Sequence, residues 1–248
     1  MPISHTTQTA HIEVFVTEKG EFHSAFVINK DDAITIIPCT EQSASRSGTL
    51  NAPYPLHDKL VYVAGDFVHY TGKKKDEDRF ALYIKNLKDW VESEYSHPKV
   101  VSIYNYLQKR TLIKDLVNEG ILFLDQEGRL ISKWDKKYES LHGEKPEIFK
   151  VVSGGQDSAF VRFNVYTPDK VTVNIWHDKE IFDSFIKYYN ELLSDSDYCY
   201  VTGKILPTTE RHANKIRHSG DKAKLISDND KSGFTYRGRF NNSTEAAR

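Results

Sequence analysis

Residues 153–158, SGGQDS, fit the Ser-Gly-Gly-x-Asp-Ser pattern by which a loop can hold the β,γ-phosphates of ATP for pyrophosphate release. That chemistry needs the loop to run into a helix, because the phosphates sit on backbone N–H groups at the positive end of the helix dipole. The next residues are AFVRFNVY, in which Val161, Phe163 and Val165 alternate with Arg162, Asn164 and Tyr166. That is the period of a strand. TPDK then turns the chain and VTVNIW is expected to return as the partner strand, so SGGQDS reads as a Gly-rich approach to a hairpin. An ATP pyrophosphatase, which would depend on Asp157, therefore stands last among three functional readings.

The other residues with chemistry to offer are cations. KILPTTERHANKIRHSGDKAKLIS carries Lys204, Arg211, Lys215, Arg217, Lys222 and Lys224 against Glu210 and Asp221. Gly203 and Gly220 interrupt it, so these charges make a basic loop and not one helical stripe. With Asn214, Ser219 and backbone N–H groups, such a loop can hold phosphates. Arg237 and Arg239 stand beside Phe234, Tyr236 and Phe240, a basic and aromatic mixture that suits nucleic acid. A second basic run, Lys73, Lys74 and Lys75, is followed at once by Asp76, Glu77 and Asp78, which can neutralise it.

Residues 201–248 hold 10 Lys or Arg against 5 Asp or Glu, although the whole chain has a formal net charge of -1. A polyanion is thus directed to the C-terminal end. The 10 histidines are scattered without metal-ligand spacing, so neither a metal nor a cofactor is expected. Cys39 and Cys199 form no CxxC pair, which suits a reducing, cytoplasmic setting. No apolar run approaches the roughly 20 residues that span a membrane, and MPISHTTQTA lacks the order of a signal peptide.

The elements that must position these groups read as α+β. HIEVFVT and FHSAFVIN flank a turn at Glu18–Glu21 and form an opening β-hairpin, with ITII (34–37) as a third strand. Residues 38–60 form a long loop rich in Ser, Pro, Gly and Asn. Phe80, Tyr83, Ile84, Leu87 and Val91 mark a helix with Asp78 as N-cap; Val100, Ile103, Tyr104 and Leu107 mark a second, capped by Ser96. Thr111 caps a third that Gly120 ends, and ILFL-DQEG-RLI reads as a hairpin. Helix, short helix and hairpin in that order match a winged-helix DNA-binding regulator, although its recognition helix, LIKDLVNE, would face phosphates with Asp115 and Glu119. Asp178 caps a helix burying Ile181, Phe182, Phe185, Ile186, Tyr189 and Leu193, and YCYVTG follows as a strand. Trp90 and Trp176 belong to the core, while Trp134, in SKWDKKYE, is the tryptophan open to a partner. The expected division is an α+β region over 1–150 with helices near 79–119, then a β-hairpin, helix and basic loop region over 151–248.

Several segments carry a resemblance in order: PISHTTQTAHIEV, AITIIPCTEQSASRSG, PLHDKLVYVAGD, LKDWVESEYSHPKV, TLIKDL, AFVRFNVY, NIWHDKEIFDSFIKYYNELL, YCYVTGK, RHANKIRHSGDKAKLIS and SGFTYRGRF. Together they resemble the large subunit of the type I-C CRISPR Cascade, the Csd family, over nearly the whole chain. That family's proteins are longer, so the chain resembles an N-terminal portion. The resemblance implies a subunit without catalysis of its own. It would read the protospacer-adjacent motif in double-stranded target DNA and help start the R-loop, beside the subunits that carry the crRNA. A separate helicase-nuclease would then be recruited to the R-loop. Under that reading Arg211, Lys215, Arg217, Lys222, Lys224, Arg237 and Arg239 contact phosphates, with Lys73, Lys74 and Lys75 as a secondary basic turn. Arg46, Asn51 and Asn214 are the candidates for reading bases.

Overall fold

The computed structural model describes residues 1–44, 46, 50–168, 173–193, 196–199, 202–207, 214–221 and 223. Its strands are β1 (His5–Thr9), β2 (Ile12–Thr17), β3 (Phe22–Val27), β4 (Ile34–Pro38), β5 (Asp58–Lys59), β6 (Phe160–Tyr166), β7 (Ser196–Tyr198) and β8 (Ile205–Pro207). Its helices are α1 (Glu41–Ala44), α2 (Leu60–Val63), α3 (Phe67–Thr71), α4 (Glu77–Val91), α5 (Pro98–Leu107), α6 (Leu112–Asn118), α7 (Glu139–His142), α8 (Ile148–Val151) and α9 (Lys179–Leu192). The class is α+β, as the periodicities indicate.

A four-stranded sheet in the order β3-β2-β6-β5 is the frame. Ile12, Val14 and Val16 alternate along β2 onto one face, and Val161, Phe163 and Val165 do the same on β6. The two strands run parallel from Ile12↔Val161 to Thr17↔Tyr166. Phe80, Tyr83, Leu87 and Trp90 of α4, Val100, Ile103 and Tyr106 of α5, and Ile181 and Phe185 of α9 bury that face in one core. On the opposite face Arg162 donates to Glu13 (2.6 and 2.9 Å) and stacks 3.7 Å from the Trp176 ring centroid. The antiparallel ribbon β1-β4 shelters a second, smaller core of Ile28, Ile37, Cys39, Tyr54 and Phe160.

The first hairpin, the strand at 34–37 and the three principal helices form where their periods place them. The caps shift. α4 begins after Asp76, two residues before the expected Asp78 boundary, and His97 in place of Ser96 caps α5, its Nδ1 accepting the Lys99 N–H at 3.2 Å. The residues after DQEG make a turn with a single bridge, Leu124↔Leu130, instead of a two-stranded hairpin. Trp134 packs against Phe149 with ring centroids 5.3 Å apart and is half-buried.

The largest correction concerns β6. The described residues of VTVNIW, 173–176, form no strand, and Ile175–His177 is a 3-10 turn. The partners of β6 are β2 on one edge and β5 on the other. Every residue from Phe160 to Val165 is buried, so the strand needs neighbours on both edges, and a solvent-facing return strand offers neither the apolar cover nor the second edge. A hairpin does form further on, where β7 pairs with β8. The strand β6 of the second sequence region is therefore central to the sheet of the first.

Candidate nucleic-acid interface

At the β5 edge of the sheet lies a cavity of about 400 Å³ whose lining includes Arg46, Lys59, Lys73, Lys75 and Arg79. Four separate stretches of chain supply these cations. In the two-residue strand β5 the side chains alternate, so Asp58 turns inward and is fully buried while Lys59 turns out to solvent. Arg46 reaches Asp58 from the long loop, with Nη1 2.7 Å from Oδ2 and Nη2 2.6 Å from Oδ1. Its guanidinium also lies 4.2 and 4.6 Å from the ring centroids of Tyr54 and Tyr62. The Tyr54 and Lys59 N–H groups donate to the same carboxylate at 2.8 and 2.7 Å. Burial raises the Asp58 carboxyl above the usual range, and the Arg46 guanidinium and these two N–H groups oppose the shift.

The turn after α3 supplies Lys73 and Lys75. Gly72 sits at φ 68, the left-handed conformation that ends α3, and leads the chain into the 3-10 turn Lys74–Asp76. Lys74 is exposed and does not line the cavity. Lys73 pairs with Asp157, across the cavity. Arg79, in the first turn of α4, holds Asp76 at 2.9 Å and donates to the Tyr62 hydroxyl at 2.8 Å. Asp157 and Ser158 belong to SGGQDS, which runs through a 3-10 turn, Gln156–Ser158, into β6 and not into a helix.

Residues 214–221 lie along β1. Thr6 Oγ1 donates to the Asn214 carbonyl at 2.8 Å, and Thr7 Oγ1 to the Lys215 carbonyl at 2.6 Å. Lys215 adopts φ 58 and its Nζ donates to Gln8 Oε1 at 3.2 Å. Burial lowers the Lys215 ammonium below its ordinary range, and the positive charges of Arg46 and Lys59 lower it further. Gln8, which holds Lys215, also donates from Nε2 to the Tyr54 hydroxyl at 2.7 Å, and the Tyr54 ring lies against Arg46. Arg217 is exposed and holds Asp221 at 2.7 Å.

From the sequence-predicted set the structure therefore brings together Arg46, Lys73 and Lys75 in the cavity lining, while Lys215 lies outside it against β1. Asn51 is exposed and does not line the cavity. Asn214 is engaged through its backbone, and Arg46 is folded inward onto Asp58 instead of reaching outward from its loop. Arg211, Lys222, Lys224, Arg237 and Arg239 lie outside the described residues. Sequence reasoning missed Lys59 and Arg79. The signal for Arg79 was its i,i+3 spacing from Asp76; for Lys59 it was the Asp-Lys alternation in HDKL.

Five cations line the cavity against Asp76 and Asp157, so its lining carries a net positive charge. The family model described as CRISPR-associated protein (Cas_Csd1) matches residues 1–248. The chain belongs to this family. It is the family of type I-C large subunits that the segments above resemble, and it makes the chain a CRISPR-associated protein with a place in a CRISPR complex. No curated protein matches the chain. Among the described residues, no helix of this Csd1 protein is long and apolar enough to cross a membrane.

Proposed function

We propose that this Csd1 protein is a non-catalytic subunit of an RNA-guided surveillance complex that reads the protospacer-adjacent motif in duplex DNA and helps to open the R-loop. The observation that carries the proposal is the convergence of Lys59, Lys73, Lys75 and Arg79 on one cavity, with Lys215 linked to it through Gln8 and Tyr54. Lys59, Lys73, Lys75 and Arg79 come from a strand, a turn and a helix within residues 59–79, and their like charges repel one another. A site that gathers them is built for phosphates, which fix the register of a duplex while nearby polar side chains meet base edges. Sequence specificity beyond the short motif is left to guide pairing.

The test is binding of the protein, alone and with the crRNA-bearing subunits, to short duplexes covering every motif of three base pairs across a salt series. Two charge-reversal variants accompany it, Lys59→Glu/Lys75→Glu in the cavity and Lys215→Glu/Arg217→Glu outside it. We expect affinity to rank the motifs and to fall with salt, and the cavity variant to weaken binding about 10-fold or more while reducing the salt slope by about 1 for each lysine. Equal binding to every motif, in the assembled complex as well as alone and untouched in both variants, would refute the proposal.

A further inference from the structure

The SGGQDS stretch has a phosphate-loop pattern but places no helix N-terminus behind it. Instead it puts a carboxylate, Asp157, onto the Lys73 ammonium inside the cationic cavity. Resting on the phosphate-binding reading of that cavity, we infer that Asp157 is an internal stand-in for a phosphate: it occupies Lys73 in the free protein and yields it to an incoming phosphodiester.

The geometry separates a fixed partner from a movable one. The Asp157 side chain is 15% exposed, and its loop is tied down on several sides. Gln156, fully buried, accepts the Phe123 N–H at 3.0 Å and donates to the Phe123 carbonyl at 2.5 Å. Ser158 donates to the Gly155 carbonyl through both its hydroxyl (2.7 Å) and its N–H (2.9 Å). Gly155 itself passes so close to Ser132 that an added Cβ would lie 2.5 Å from the Ser132 carbonyl oxygen. Lys73, by contrast, is 47% exposed on a turn and carries its charge on a flexible four-carbon stem. When a phosphate enters, Lys73 can swing to it while Asp157 stays.

The other cations in the cavity divide in the same sense. Arg46 and Arg79 are held by Asp58 and Asp76 in pairs that shape the fold, with the carboxylates buried. Lys59 and Lys75 form no ion pair among the described residues and stand open to an anion. Lys73 alone has a partner that crosses the cavity from another loop. A phosphate seated on Lys59 and Lys75 gains Lys73 only by competing with Asp157, and one that is out of register meets the carboxylate. Asp157 therefore lowers affinity for misplaced phosphates more than for a correctly seated duplex.

The experiment uses the full chain and the duplexes described above, with wild type, Asp157→Asn, Asp157→Ser, Lys73→Ala, Asp157→Asn/Lys73→Ala and Lys75→Glu, each also followed by thermal melting. Removing the carboxylate frees one cation from an exposed ion pair, so Asp157→Asn and Asp157→Ser should bind duplex about 3- to 10-fold more tightly at low salt. The log-log salt dependence should steepen by about 0.9, the increment for one added phosphate contact. Both gains should vanish when Lys73 is alanine, and the melting temperature should stay within a few degrees of wild type. If Asp157→Asn and Asp157→Ser bind like wild type or more weakly while Lys75→Glu loses affinity, the cavity holds DNA but Asp157 is no stand-in, and this inference falls. If Lys75→Glu also binds like wild type, the phosphate-binding reading of the cavity fails and takes the inference with it.

Discussion

Arg46 shows how far a side chain's role depends on what lies beneath it. In the sequence it is a cation in a polar loop, and so a candidate for reading bases. In the structure its two terminal nitrogens close on Asp58 at 2.6 and 2.7 Å, its faces meet Tyr54 and Tyr62, and its side chain is 13% exposed. Removing one partner of such a pair leaves the other charged and desolvated, so Arg46→Ala should destabilise the fold by about 3–5 kcal/mol. Arg46→Lys should not restore it, because an ammonium supplies neither the two-pronged contact nor the stacked plane. Urea denaturation checks both variants, and a lysine variant as stable as wild type would show that charge alone holds the loop. Arg217 presents the contrast: it too holds a carboxylate, that of Asp221 at 2.7 Å, but its side chain is 74% exposed, so the pair contributes little to the fold.

Among the elements, those with a strong period of their own were legible and those chosen by distant partners were not. The alternation of Ile12, Val14 and Val16 and the helical spacing of Phe80, Tyr83, Leu87 and Trp90 announce β2 and α4 without reference to the rest of the chain. β1 has no such signal. HTTQT is polar, yet His5, Thr6 and Thr7 are buried because β4 and residues 214–215 satisfy their hydrogen bonds from far away. His5 donates from Nδ1 to the Ile3 carbonyl, and His57 accepts the Phe163 N–H on its own Nδ1. Among the described residues, their buried Nε2 atoms have no hydrogen-bond partner. Burial pushes the His5 imidazole down to about 4 and, with the nearby Arg162 charge, that of His57 down to about 3. An unfolded histidine titrates near 6.5, so below that pH the unfolded chain takes up protons that the folded one refuses. The stability these two residues confer is thus complete above about pH 6.5 and is lost as the pH falls toward 4, with a slope approaching ~2.7 kcal/mol per pH unit from the pair. Urea midpoints measured between pH 7.5 and 5 should show that fall, and His57→Asn, which keeps an acceptor near the Nδ1 position, should remove about half of it. An unchanged pH slope in that variant would assign the acid sensitivity to other groups.

For the molecule as a whole, the same logic explains why the cavity was hidden and where the chain can be cut. Residues 46, 59, 73–79 and 157 have no common period. Residues 46, 59 and 73–79 meet around Asp58 and Tyr62, and residue 157 joins them because β6, which follows it, lies between β2, the second strand of the chain, and β5, the strand that carries Lys59. Local patterning showed that β6 is a strand but not which neighbours it takes, and the near choice, VTVNIW, was the wrong one. The sheet is closed by a strand some 150 positions along the chain from its parallel partner, so residues 1–150 cannot complete it. A 1–150 fragment leaves one edge of β2 unpaired and uncovers core residues that Phe163 and Phe185 bury. It should show no cooperative urea transition by far-UV circular dichroism. A 1–193 fragment restores β6 and α9 and should unfold cooperatively, at a lower midpoint than the full chain because residues 214–215 no longer bond to Thr6 and Thr7. It should also keep most of its duplex affinity, since Lys59, Lys73, Lys75 and Arg79 remain in place. A cooperative transition in the 1–150 fragment, with a denaturant slope matching its length, would mean that the first region holds a core of its own and that β6 is an accessory strand.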